Sequence, residues 1–196
     1  MRQGDKGLKG LINHDDIAKV LISEEQIKQR IAELGAELRK DYADVEGEIV
    51  LICILKGAVM FFADLARAMD LNMQMEFMGI SSYGNERRTS GIVRITKDID
   101  TSITGKHVII AEDIMDSGLT LSHLLKLLSS RSPASLKICC LLDKPSRREC
   151  ELTPDYRGFE IPNEFVVGYG LDYDGFLRNL PYVGVLKPSV YSREEE

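Results

Sequence analysis

Three largely apolar runs of strand length limit this chain more than any other feature: Ile49 to Leu55 (IVLICIL), which is uninterrupted, His107 to Ala111 (HVIIA) and Leu136 to Leu142 (LKICCLL). A strand with one wet face alternates apolar and polar residues. Continuous runs suit central parallel strands that are covered on both sides. Between them lie stretches of helical period. Ile27, Ile31, Leu34 and Leu38 recur at three- and four-residue spacing behind Ser23, with Gln26 three residues after it, so the pattern predicts a capping box and a helix from Glu24 to about Tyr42. Further helices are expected from about Ala58 to Met69 and from about Leu119 to Ser129. Strands are expected at Ile17 to Ile22 and around Met73 to Ile80.

Strand, helix, strand in this order implies right-handed crossovers and an α/β fold: a parallel twisted sheet flanked by helices. The 196 residues suffice for a single domain, 1–196, with a core over about 24–144. After Lys144 the pattern loosens around five prolines. The segment over about 145–190 is expected to join the N-terminal strand, about 12–22, in a small lid or hood. Ser81 to Ser90 is polar, lacks either period and reads as a mobile loop.

Composition matters mainly for what it excludes. A net charge of −6 disfavours general nucleic-acid binding, which needs cationic side chains against phosphates. It leaves open a small phosphate-bearing ligand held by backbone N–H groups. No apolar run approaches the roughly 20 residues needed to cross a bilayer, and MRQGDKGLKG has no apolar secretory core, so a cytoplasmic location is expected. Three of the four cysteines lie in or beside strand runs and none forms a CxxC pair, which favours plain burial over metal or disulfide use. GxxxxGK[ST] and GxGxxG are both absent, leaving P-loop and Rossmann cofactor sites without support.

Chemistry concentrates in Val108 to Thr120, VIIAEDIMDSGLT. A buried strand ends in Glu112 and Asp113, a short turn carries Asp116, and Ser117-Gly118-Leu119-Thr120 opens a helix. Ligands of open α/β sheets gather at the carboxyl ends of strands, where these acids would sit. Gly118 lets the backbone approach an anion, the helix start offers free N–H groups, and Ser117 and Thr120 add hydroxyls. Three carboxylates beside a phosphate repel it unless something intervenes. Ribose hydroxyls donating to Glu112 and Asp113, with Mg²⁺ nearby, would resolve the conflict. The plain alternative is a helix cap on a solvated acidic turn; the complete strand–ED–xx–DSGxT pattern in its expected context argues against it.

This segment resembles the phosphoribosyl pyrophosphate (PRPP) motif of type I phosphoribosyltransferases. From about Ile12 to Lys187 the chain is similar to the bacterial hypoxanthine-guanine branch, whose enzymes act on 6-oxopurines. The resemblance implies that Glu112 and Asp113 hold the ribose 2′- and 3′-hydroxyls, that Asp116 lies near purine N7, and that Ser117, Gly118, Leu119 and Thr120 cradle the 5′-phosphate. Lys56 and Gly57 correspond to a pyrophosphate loop with a non-proline cis peptide before the lysine; without the resemblance, Lys56 is equally an ordinary cation at a strand end. Ser82 and Tyr83 correspond to a flexible catalytic lid, and Arg178 to a pyrophosphate contact.

For the base, the resemblance gives Lys144 to purine O6, Phe165 to stacking and Val166 to backbone contacts with the base edge. An ammonium donates to a carbonyl but offers no acceptor to an exocyclic amine, which fits hypoxanthine or guanine over adenine. Read alone, Lys144 is a solvated lysine and Phe165 to Val167 a core strand. Asp172 corresponds to a residue that helps hold Mg²⁺, with Glu112 and Asp113 as further candidate metal ligands. The implied reaction is purine salvage, giving IMP or GMP and pyrophosphate, in a homodimer or homotetramer. Rival readings are a phosphoribosyltransferase for xanthine or a pyrimidine, and a non-catalytic RNA-binding regulator on the same fold. The acidic charge and the intact Lys56, Asp116 and Arg178 disfavour the regulator.

Overall fold

The apolar runs become the centre of a six-stranded sheet in the computed structural model, which describes residues 14–82 and 93–192. In chain order the elements are β1 (Ile17–Ile22), α1 (Glu24–Tyr42), β2 (Ile49–Leu55), α2 (Val59–Met69), β3 (Gln74–Ser82), β4 (Val93–Lys97), β5 (His107–Met115), α3 (Leu119–Ser129), β6 (Ser135–Asp143), β7 (Tyr156–Glu160), β8 (Val166–Val167) and β9 (Val183–Leu186). A short helical turn at Pro188–Tyr191 follows. The main sheet has the order β4-β3-β2-β5-β6-β7. Strands β3, β2, β5, β6 and β7 are parallel to their neighbours, and β4 closes one edge antiparallel to β3.

Burial on both faces is literal in the central strands. Leu51, Cys53, Ile109, Ala111, Cys139 and Leu141 belong to a cluster with α1 and α2 residues such as Ile27, Leu34, Phe61 and Leu65. Val50, Ile52, Val108, Ile110, Ile138 and Cys140 belong to a second cluster with Leu121, Leu124 and Leu128 of α3. Successive residues thus serve opposite layers, as the two-residue period of a strand requires. Each fully buried Leu or Ile contributes about 1.5–3 kcal/mol relative to exposure. All four cysteines are free thiols, with Cys53, Cys139 and Cys140 buried.

Helix α1 starts where the capping box placed it: the Ser23 hydroxyl accepts from the Gln26 N–H, and the Gln26 side chain accepts from the Ser23 N–H at 2.8 Å. Its four periodic residues are each no more than 4% exposed. Gly35 is where α1 touches α2. A Cβ there would stand 2.6 Å from the Ala68 carbonyl carbon, so only glycine allows this approach. A second, three-stranded sheet has the order β1-β9-β8, antiparallel throughout. Among the described residues no helix is long and apolar enough to cross a membrane.

The structure corrects several expectations. Ser81 and Ser82 are not loop residues but the end of β3, paired with Arg94 and Val93. Strand β4 was not expected: VRITK carries two cations and one edge to pair, which gives a weak pattern. Tyr156–Glu160, expected in the hood segment, instead extends the main sheet beside β6. The strand expected to end at Glu112 and Asp113 runs on to Met115. Strand β5 continues through them because Glu112 pairs with Cys140 and Met115 with Asp143. Tyr83 lies outside the described residues, as does most of the expected loop.

Gly35→Val should lower the unfolding free energy by about 1–3 kcal/mol, although valine is the better helix former. Urea denaturation of the two proteins checks this, and equal stability would mean that the helices part without cost.

Candidate active site

The carboxyl ends of β2 and β5 meet at one point. Strand β2 stops at Leu55, the Leu55–Lys56 peptide is cis, and the chain turns through Gly57 into α2. The Asp113 carboxylate lies directly across this turn. A Cβ on Gly57 would fall 1.6 Å from Asp113 Oδ2, so the missing side chain is what leaves room for the acid. The Ile114 N–H donates to Asp113 Oδ1 at 2.9 Å and fixes the carboxylate from its own strand. Lys56 is exposed at the mouth of the turn.

A loop at 168–178 closes the same corner. Gly168, Tyr169 and Gly170 have φ of +95°, +48° and +103°, a run of left-handed backbone that bends the chain sharply. The bend brings Gly170 within 1.9 Å, measured from a hypothetical Cβ, of the Gly57 carbonyl oxygen. The Tyr169 hydroxyl donates to Asp64 of α2 and ties the loop to the helix that Lys56 and Gly57 precede. Arg178 donates to the Gly170 carbonyl at 2.7 Å and pairs with Asp172 Oδ1 at 2.6 Å. Asp172 Oδ2 also accepts from the Gly175 N–H at 2.7 Å.

Electrostatically this corner is under-satisfied. Glu112 Oε2 is buried and lacks a hydrogen-bond partner. Burial, and then the neighbouring Asp113, push the Glu112 carboxyl well above the ordinary carboxylate range. Burial also raises Asp113, while the N–H donors and Arg178 pull it back down. Two adjacent acids that resist ionisation call for hydroxyl donors or a cation from outside. Among the described residues no three of His, Cys, Asp or Glu form a group that could hold a metal. Glu112, Asp113 and Asp172 therefore make no self-sufficient metal cage, because Asp172 is already engaged by Arg178 and Gly175.

Asp116 to Thr120 make the neighbouring turn. Gly118 stands at φ +80° immediately before α3, so the first N–H groups of the helix open onto the strand end. Ser117 Oγ accepts from the Leu119 N–H at 3.4 Å, and Thr120 lies one residue into the helix. This turn is braced from outside by residues that the sequence did not single out. The Glu149 N–H donates to the Ser117 carbonyl at 2.9 Å, and Arg148 donates to the Asp116 carbonyl at 3.0 Å. Arg148 also donates to the Asp143 carboxylate, which is 3% exposed and receives Arg157 at 3.3 Å as well. Arg147 reaches Asp116 Oδ1 at 3.1 Å. The only advance signal was an acid, Asp143, ending an otherwise apolar strand.

Lys144 is not a solvated lysine. It is 7% exposed, its N–H donates to the Met115 carbonyl at 3.0 Å, and its Nζ donates to the Glu164 carbonyl at 2.8 Å. Desolvation pulls its ammonium below the usual lysine range, and the nearby carboxylates of Asp116 and Glu164 oppose that pull. The residue thus spans from the end of β5 to the segment that enters β8. Val166 is buried in β8, whereas Phe165 stays 40% exposed beside it. The candidate residues therefore fall into two groups, Gly57–Asp113–Asp172–Arg178 and Asp116–Ser117–Gly118–Lys144–Phe165. The strand end Glu112–Asp116 joins them. Of the expected lid, Ser82 closes β3 and Tyr83 lies outside the described residues.

Comparison with known proteins bears on this arrangement. Residues 21–174 match the family described as the phosphoribosyl transferase domain. A hypoxanthine-guanine phosphoribosyltransferase of Bacillus subtilis (strain 168) is 54% identical over 176 residues, covering 90% of this chain and 97% of that protein. Its counterpart in Mycobacterium avium is 54% identical over 182 residues, or 91% of this chain and 90% of that one. Among solved structures, a hypoxanthine phosphoribosyltransferase from Staphylococcus aureus superposes with a TM-score of 0.87 at 48% identity, over 91% of this chain and 96% of that one.

The buried acids predict a pH signature. The Asp113 carboxyl is raised in the fold from 3.8 to about 6, so its protonated form favours folding. That contribution is complete below about pH 4 and is lost as pH rises through about 6. Asp113→Asn keeps the Ile114 contact and abolishes the titration. Its stability relative to the parent should therefore rise between pH 4 and pH 7. Melting curves across that range test it; a difference that stays flat would mean the acid is not desolvated.

Proposed function

The chain belongs to the phosphoribosyl transferase family, among the hypoxanthine-guanine phosphoribosyltransferases, and on that footing we propose that it joins hypoxanthine or guanine to the ribose of PRPP. Purine N9 forms a bond to ribose C1, the bond from C1 to the pyrophosphate oxygen breaks, and pyrophosphate leaves with the electron pair. IMP or GMP is the nucleotide product. The observation that carries this assignment is the pair of acids at the end of β5, with Glu112 Oε2 buried and unsatisfied beside the Gly118 turn. A sugar diol donates hydrogen bonds to such acids, and its phosphate suits the N–H groups next door.

Each residue then has a physical task. Glu112 and Asp113 accept from the 2′- and 3′-hydroxyls, and Ser117, Gly118, Leu119 and Thr120 receive the 5′-phosphate. Lys56, Gly57 and Arg178 face the pyrophosphate, where positive charge stabilises the departing group as oxocarbenium character grows on the ribose. Glu112, Asp113 and Asp172 are the residues that would hold Mg²⁺, which would supply further charge neutralisation when bound. Asp116 takes or holds the N7 proton. Lys144 donates to O6, Phe165 stacks on the base, and Val166 offers its backbone to the base edge.

We further propose a cytoplasmic homodimer or homotetramer, with a hood formed by the N-terminal strand and the small sheet. An apolar groove of about 460 Å³ supports association: Phe62, Ala66, Met73, Met75 and Phe77 line it, and Met75 is 56% exposed. Xanthine remains the nearest competing base, since it also carries an O6 carbonyl for Lys144.

Asp116→Asn should lower turnover by about 100-fold or more while PRPP with Mg²⁺ still protects the protein against heat. Full turnover in that variant removes the proton role. Lys144→Ala should reduce kcat/KM for hypoxanthine by about 10- to 100-fold, the worth of a charge-assisted hydrogen bond. A spectrophotometric assay with hypoxanthine, guanine, xanthine and adenine reads both variants and sets the base preference of the parent.

A further inference from the structure

Phe165 keeps 40% of its surface exposed although two other aromatic rings lie against it. Tyr173 meets it edge-on, with centroids 5.9 Å apart and planes at 84°. Tyr191 lies nearly parallel to it, with centroids 5.0 Å apart and planes at 23°. A phenyl ring has two faces. Tyr191 lies along one of them, and the stacked, T-shaped trio still leaves Phe165 40% exposed.

Tyr191 is not a loose cover. It packs, partly buried, on a cluster formed by Val167, Leu177, Leu180 and Leu186. The helical turn that carries it is tied down at both ends: the Lys187 N–H donates to the Asp16 carbonyl at 2.9 Å, and the Tyr173 hydroxyl donates to the Val190 carbonyl at 3.3 Å. The Phe165 carbonyl also accepts from the Leu186 N–H at 2.9 Å. Phe165 thus stacks on a supported ring while staying 40% exposed, one residue after the Glu164 carbonyl that receives Lys144.

We infer that Tyr191 is a positioning residue for the base: it backs Phe165 and holds that ring in the plane on which the purine stacks. The inference rests on assigning Phe165 to the purine. An unsupported phenyl at the end of a two-residue strand turns about its side-chain bonds and must be immobilised when a base binds. A ring stacked beforehand has already lost that freedom, so binding is stronger without any new contact to the ligand. Aromatic pairs of this geometry correspond to about a two- to tenfold effect on an equilibrium. Tyr191 touches no reacting atom, so its influence falls on affinity for the base.

The test compares Tyr191→Ala, Tyr191→Phe and Phe165→Ala by steady-state kinetics on the full chain, with melting temperatures alongside. Tyr191→Ala should raise KM for hypoxanthine about three- to tenfold at saturating PRPP, with KM for PRPP and the melting temperature close to the parent's. Tyr191→Phe should restore the KM for hypoxanthine, because the ring and not the hydroxyl makes the stack. If Tyr191→Ala does not fold, Tyr191→Leu keeps the apolar packing without a flat face and should show the same rise. An unchanged or lowered KM for hypoxanthine overturns the role, the lowered value meaning that Tyr191 competes for the purine's face. A parallel rise in both KM values with a falling melting temperature also overturns it. Should Phe165→Ala leave KM for hypoxanthine unaltered, the purine assignment of Phe165 fails first; a rise there with no change in Tyr191→Ala sinks only the backing role.

Discussion

Two carboxylates on consecutive residues at the end of a central strand set the terms for everything around them. Glu112 and Asp113 occupy β5 positions whose neighbours are the most deeply buried strands of the sheet, so water reaches them poorly. Desolvated acids raise the energy of the ligand-free protein, and the fold tolerates this because its two apolar layers are extensive. The site is thus a local electrostatic deficit.

Holding that deficit in place requires backbone more than side chains. Gly57 leaves space for the Asp113 carboxylate, and Gly170 leaves space for the Gly57 carbonyl, so three chain segments converge to near contact with no side chain between them. The Asp64–Tyr169 bond and the Arg178 contacts then hold the 168–178 loop at that distance. Around the Gly118 turn the means are different. Asp143, almost wholly buried, draws in Arg148 and Arg157, and Arg148 passes the connection to the Asp116 backbone. A buried ion pair of this sort adds little net stability, but removing one partner strands a charge in the interior. Its value here is in fixing the geometry of the turn.

The sheet's centre and its three long helices were legible in the residues, since continuous apolar runs and helical spacing survive any tertiary context. The capping box at Ser23 and Gln26 even fixed the first turn of α1. Elements with short or mixed patterns were not legible. Strand β4 depends on pairing with β3, and β7 on pairing with β6; neither VRITK nor YRGFE carries the continuous apolar run that announced the central strands. The acids at 112 and 113 looked like the strand's last residues because charged residues rarely continue a buried strand. Register with Cys140 kept them in it. Arg147, Arg148 and Tyr169 escaped notice because their partners lie 31 or more residues away for the first two contacts to Asp116, and 105 for the bond to Asp64.

Local sequence, then, determined which segments could be strands or helices and which short stretch could hold a sugar phosphate, because hydrophobic period, capping and turn chemistry act over a few neighbouring residues. Only the tertiary structure decided that Lys144 would be buried with its ammonium on the Glu164 carbonyl, that Asp113 would press against Gly57, and that Phe165 would stack on Tyr191 with Tyr173 edge-to-face beside it. Those placements follow from contacts between residues far apart in the chain. Desolvation and stacking are properties of such neighbours, and no stretch of sequence carries them by itself.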